Sequence, residues 1–210
     1  RSVPIRRVPR QAFETSLGDV HHQGVAVEAS PYPYAEPDAI AARTAQRQEP
    51  PFLLLLDHLQ DPQNLGAILR SAEAAGVHGV ILPDRRSASI TPAAVRASAG
   101  ASEHLLVHRV VNLVRAMNEY KEQGIWLAGL DAGADSQPYL EADLGGPIGL
   151  VIGSEGDGLG RLVGETCDFR IRLPMRGRVD SLNAGAVAAV ALYEVRRRRT
   201  APPPRPSRPE

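Results

Sequence analysis

Two loops of this chain set glycine beside polar residues of the kind that bind, orient or deprotonate a substrate. Gly153-Ser-Glu-Gly-Asp-Gly158 follows the apolar run Leu150-Val-Ile152 and carries one glutamate, Glu155, among its glycines. Such glycines let a ligand approach the backbone closely. A second apolar run, Phe169 to Leu173, ends at Pro174, and its loop leads to Ser181-Leu182-Asn183. Two strand exits placed this way can frame one pocket from backbone amides, which suits a small polar cofactor with an apolar tail. A third segment runs from Asp57 and His58 through Asp61, Pro62 and Asn64 to Arg70, and also leaves an apolar strand-like run. In α/β proteins that position, after the carboxyl end of a strand, is where ligands bind.

The same residues have architectural readings, and at this level both stay open. Asn64 is placed to cap the helix beginning there, with Arg70 a surface partner of Glu73. Gly66, Arg70 and Glu73 share a face away from the main apolar stripe. Ser181 and Asn183 suit helix caps, and Glu155 suits an exposed loop. The glycine loop has neither the Gly-Lys-Ser/Thr ending of a phosphate loop nor G-x-G-x-x-G spacing, which argues against a nucleotide phosphate. The six histidines show no ligand spacing with Cys167, so no metal site is expected. Nothing resembles a Ser-His-Asp elbow.

The elements that must hold these loops alternate. Phe52–Leu56 is continuously apolar, as a strand buried on both faces should be. Leu65, Ile68, Leu69, Ala72 and Ala75 follow at helical spacing up to Gly76, and Val77 to Leu82 reads as the next strand. Helices are expected over 91–100, 112–123, 159–165 and 182–198, and strands over 105–110, 125–130, 148–152 and 169–173. This order predicts an α/β domain with a mostly parallel sheet flanked by helices. The final helix is apolar nearly all round, which calls for cover on more than one side and suggests a partner subunit. Residues 1–49 read as an extension with a short strand at Gly24–Val27, residues 50–199 as the α/β domain, and residues 200–210 as a disordered proline-rich tail.

The 210 residues, 43% hydrophobic, suit one domain with extensions. A single cysteine excludes an internal disulfide and fits a reducing compartment. No apolar run reaches the roughly 20 residues that span a bilayer, and a cytoplasmic protein without membrane contact is expected. Net charge is zero but segregated: residues 1–10 hold four arginines and residues 196–210 hold six, leaving 14 basic against 23 acidic residues between them. Such ends serve as solubilising tails or as arms that hold phosphates. The second reading gains from 23 of the 24 basic residues being arginine.

In order, Asp61-Pro62, Asn64, Gly66, Arg70 and Ala74-Ala-Gly76, then Ile152-Gly153, Glu155 and Gly156, then Leu173-Pro-Met175, Gly177, Val179 and Ser181-Leu-Asn183 resemble three signature motifs. They are those of the SpoU/TrmH family of RNA 2′-O-ribose methyltransferases, in the SPOUT superfamily, and the resemblance covers about residues 50–199. His22-Gln-Gly24-Val also resembles the junction before the catalytic domain in members that methylate a guanosine of 23S ribosomal RNA. Those members carry a small RNA-binding domain, which would precede Arg1. The resemblance implies a C-terminal trefoil knot, S-adenosylmethionine held bent in the knot loops, and a homodimer through the knot region and last helix. It assigns Gly153, Leu173, Met175 and Leu182 to the cofactor. It assigns Asn64, Arg70, Glu155, Ser181 and Asn183 to the surroundings of the reacting ribose. Where the family places Val-Ser after the last asparagine, this chain has Ala184-Gly185.

Arginine stays protonated below a pH of about 12, so Arg70 is expected to clamp phosphate or a developing alkoxide rather than act as base. The proton then leaves through phosphate, water or Glu155. Other substrates compatible with the motifs are a tRNA ribose or an rRNA site of antibiotic resistance. A knotted RNA-binding homologue without chemistry is the remaining alternative. The basic ends, with Arg170, Arg172, Arg176 and Arg178, favour an RNA partner of whichever kind.

Overall fold

The computed structural model describes residues 4–18, 23–133, 135–154, 156, 158–178 and 181–200. Its contacts divide the chain into two units, Arg1–Tyr32 and Pro33–Glu210. In the first, α1 (Arg10–Leu17) buries none of its side chains. Gly24–Val27 is not a strand there: it forms no ladder, and Val25 and Val27 are exposed.

The second unit alternates as the apolar runs predict. It comprises α2 (Pro37–Arg47), β1 (Phe52–Leu56), α3 (Pro62–Ala75), β2 (Gly79–Pro83), α4 (Pro92–Ala97) and β3 (Val107–Val110). It continues with α5 (Leu113–Glu122), β4 (Trp126–Leu130), β5 (Gln137–Pro138), β6 (Ile148–Ile152), α6 (Arg161–Thr166), β7 (Phe169–Arg172) and α7 (Ala184–Thr200). The alanine- and arginine-rich stretch before Pro50 is thus a helix, α2, and it buries Ile40 against the sheet. Two-residue β5 lies in what the sequence presents as a loop.

The seven strands pair in the order β3-β2-β1-β6-β4-β7-β5, every ladder parallel. β1, β2 and β6 bury every residue, because helices cover both faces of a parallel sheet. Side chains alternate between the faces. Leu53, Leu55, Ile81, Leu127 and Val151 pack with Leu113 and Met117 of α5 and Val163 of α6. The alternate set, including Phe52 and Leu54, serves the other face, where α3 packs on α4 and α7.

Gly66 corrects the expected face of α3. It is buried, and a Cβ there would stand 2.3 Å from the Ala97 Cβ of α4. Glycine is what lets the two helices touch at that point. Arg70 and Glu73 remain exposed, and no ion pair joins them among the described residues.

Candidate active site

The sheet order doubles back at its centre: β6, late in the chain, inserts between β1 and β4. Because all ladders are parallel, the chain leaves β1, β6, β4 and β7 at one edge, the switch point where open α/β sheets bind ligands. Two clefts open there.

The first, about 460 Å³, lies between the exits of β4, β6 and β7 and the start of α7. Gly153, Leu173, Met175 and Leu182, the four residues assigned to a cofactor from sequence, all line it, together with Ser181. Ile152, Ile171 and Val187 give it apolar walls. Its floor is a closed backbone loop in which Ser154 and Gly158 exchange both hydrogen bonds, at 3.0 and 3.1 Å. A Cβ on Gly153 would lie 2.0 Å from the Gly158 carbonyl oxygen, so the loop closes only over glycine. The sequence did not mark Leu130 and Asp131, at the exit of β4, as lining residues. Their signal was topological, since β4 is the neighbour of β6.

The second cleft, about 440 Å³, is lined by Asp57, His58, Asp61, Asn64 and Gly160. Ser154 and Gly158 line both clefts, so the glycine loop is their common wall.

Asn64 is not the helix cap. Asp61 caps α3, its carboxylate accepting from the backbone N–H groups of Gln63 and Asn64, both at 3.1 Å, with Pro62 in the first turn. Asn64 is thereby released for another contact: its Oδ1 accepts from Asn183 Nδ2 at 2.8 Å, across 119 residues of chain. Asn183 is both cap and site residue. Its Oδ1 accepts from the N–H groups of Gly185 (2.9 Å) and Ala186 (3.4 Å) at the start of α7, which fixes its amide so that Nδ2 faces Asn64. The final helix accordingly begins at Ala184, and Ser181 to Asn183 belong to the loop before it.

Arg70 is exposed on α3 and lines neither cleft. Glu155 lies outside the described residues, as does Val179 of the third motif. Arg172 lines the first cleft. Arg170 is turned inward, bonded to Asp131 at 3.2 Å, and is no free phosphate ligand. Cys167 donates to the Val163 carbonyl, and burial pushes its thiol up to about 12, which keeps it protonated and unreactive.

The C-terminal arginines 196–199 are also not free arms. Buried Glu194 accepts from Arg197 and Arg198 at 2.7–2.8 Å, and the Arg197 bonds hold its carboxyl below the usual range. Arg199 donates to the carbonyls of Pro50, Pro51 and Gly146 at 2.7–2.8 Å.

A glycine-walled cleft and a polar cleft thus sit side by side at the switch point of a parallel α/β sheet, with an asparagine pair tying α3 to the loop before α7. The chain belongs to the SpoU rRNA Methylase family, whose sequence profile matches residues 51–193, and hence to the SpoU/TrmH RNA methyltransferases. It is 46% identical over 199 residues to YacO of Bacillus subtilis, assigned to the TrmH family of tRNA/rRNA methyltransferases, covering 95% of this chain and 79% of that one. It is similar to the SpoU methyltransferase AviRb of Streptomyces viridochromogenes in complex with AdoMet, with a TM-score of 0.72 and 32% identity over 81% of this chain and 67% of that one. It is also similar to a solved RNA 2′-O ribose methyltransferase, with a TM-score of 0.64 and 31% identity over 71% of this chain and 57% of that one.

Proposed function

We propose that the chain transfers a methyl group from S-adenosylmethionine to a ribose 2′-hydroxyl of RNA, and that the RNA is 23S ribosomal RNA methylated at a guanosine. The observation that carries the reading is the Asn64–Asn183 bond, which sets the polar cleft against the cleft lined by Gly153, Leu173, Met175 and Leu182. AviRb, with its bound AdoMet, supports the cofactor. The solved RNA 2′-O ribose methyltransferase supports the ribose.

The first cleft fits such a cofactor. Ile152, Ile171 and Val187 offer apolar walls to a flat heterocycle, and the loop closed over Gly153 brings backbone to its edge. When bound, the cofactor supplies a methyl group already activated by its sulfonium. The chain's own residues then hold the hydroxyl in line and exclude competing water. With its Oδ1 given to Asn183, Asn64 has its Nδ2 to donate to a substrate oxygen. Arg70 clamps a phosphate with its planar fork. The same reading assigns Ser181, which lines the first cleft, and Glu155 to the reaction of the ribose.

The same reading makes residues 50–199 the methyltransferase domain and residues 1–49 its junction to an RNA-binding part. It threads the segments after β6 as a trefoil knot, and it places the protein in the cytoplasm. A homodimer through that region and α7 has two supports. Val190 and Tyr193 of α7 are exposed, and Arg70 stands outside both clefts of its own chain, where a second copy can present it.

The test is to incubate the protein with methyl-labelled S-adenosylmethionine and total RNA, then map linkages that resist alkaline cleavage. Label on ribose at one large-subunit guanosine is expected. Label on a base nitrogen would overturn the reading. An Arg70→Lys variant is expected to lose about tenfold in turnover, since an ammonium cannot replace bidentate contact; near-full turnover would remove the clamp.

A further inference from the structure

The segment between β1 and α3 contains two residues, Asp57 and His58, to which neither the resemblance nor the reaction as drawn gives a task. Asp57 closes the exit of β1, and its carboxylate is buried, with the side chain 1% exposed. A buried carboxylate needs donors. One Asp57 oxygen accepts from the Gly160 backbone N–H at 2.7 Å, at the end of the glycine loop. The other is bonded to Nδ1 of His58. That side chain is 46% exposed and lines the second cleft beside Asn64.

Two consequences follow from this arrangement. A carboxylate on Nδ1 selects the tautomer with its proton there, which leaves Nε2 as a bare acceptor on the side away from Asp57. His58 also holds a left-handed backbone conformation, φ 53°, uncommon for a residue with a side chain though less so for histidine. Strain of this kind persists only where surrounding contacts enforce it, and it gathers at functional sites. Asp57 and Asp61 are the charged groups that line the cleft with His58 among the described residues.

We propose that His58, oriented by Asp57, accepts the proton of the hydroxyl being methylated. This rests on the ribose reading above. As the hydroxyl oxygen bonds to the methyl carbon, the carbon–sulfur bond breaks with its electron pair going to sulfur. The hydroxyl proton passes to Nε2, the resulting imidazolium is stabilised by Asp57, and its half-exposed ring then releases the proton to solvent. His58 is the catalytic residue in this scheme and Asp57 a positioning residue.

The test begins with the protein without cofactor. Long-range nitrogen–proton NMR of the His58 ring is expected to show Nδ1 protonated and Nε2 bare; the opposite tautomer would overturn the proposal. Single-turnover methylation of unmodified ribosomal and transfer RNA transcripts is then compared for the parent and His58→Gly. Glycine accepts the left-handed conformation, so the variant keeps its fold, and its affinity for S-adenosylmethionine in calorimetry is expected to be unchanged. Its rate is expected to fall by about 10²–10⁴-fold. Added imidazole should restore part of the rate, which a merely structural histidine would not allow. A His58→Gly rate within threefold of the parent across the pH range would overturn the proposal. Parent RNA labelled on a base nitrogen would instead overturn the ribose reading, and the two failures are therefore distinct.

Discussion

The two ends of the same parallel sheet treat their polar groups in opposite ways. At the amino end most are closed upon one another, with Nε2 of His78 and Nε of Arg199 the buried atoms left without a hydrogen bond there among the described residues. Arg199 caps the carbonyls that enter β1 and β6, and its guanidinium lies 5.0 Å from the centre of the Phe52 ring. His78 is fully buried, with Nδ1 accepting from the Phe52 N–H at 3.1 Å. At the carboxyl end the polar groups are held but left open: Asn64 and His58 each have one bond made and one face toward a cleft. One end spends its hydrogen bonds on stability, while the other keeps some in reserve for a ligand.

The sharpest way to break this contrast is Arg199→Ala. It removes the donor to the Pro50 and Gly146 carbonyls, leaves Pro51 with the Ile148 N–H alone, and removes a cation–π contact, so a loss of about 3 kcal/mol in urea unfolding is expected. Turnover per folded molecule should be unchanged. Acid attacks the same end. Burial, with Arg47 nearby, pushes His78 down to about 4 in the folded chain, against 6.5 when unfolded. Between those values the unfolded chain binds the extra proton, so stability falls as pH drops. His78 should contribute fully above pH 6.5 and lose about 3 kcal/mol by pH 4, measurable as a pH series of unfolding midpoints.

At the open end, binding should suffer before folding does. Gly153→Ala places a Cβ against the Gly158 carbonyl and should weaken S-adenosylmethionine about 30-fold in calorimetry, equivalent to about 2 kcal/mol. The smallest effect separates the two duties of Asn183. Asn183→Asp retains the cap acceptor but loses the donor to Asn64. Stability within about 0.5 kcal/mol of the parent, with turnover lowered about tenfold, is expected. Equal losses in both would make the residue a cap alone.

Much of the sheet was legible because parallel strands buried on both faces must be continuously apolar, as Phe52–Leu56 and Ile148–Ile152 are. Helix α2 was not, since Ile40 is its one buried residue and leaves no period to read. The motif residues were legible by type and spacing, but their division of labour was not. Asp61-Pro62 is itself a cap followed by a first-turn proline, and that local signal outranks Asn64 for the capping role. The bond from Asn64 to Asn183 had no local signal, because it depends on α7 returning to α3. Gly66 was misjudged for the same reason: α4, which it touches, is brought there by the fold.

The reach of Arg199 also sets the order of events during synthesis. Its bond to the Pro50 carbonyl spans 149 residues, and the asparagine pair spans 119. Contacts this distant form late and slow folding. The sheet's own central pairing, Phe52 with Ile148, already spans 96 residues, and the two ends are finished only after it. Arg199 and the paired asparagines both wait for α7 to leave the ribosome, and so does the wall that Ala184 and Val187 give the first cleft.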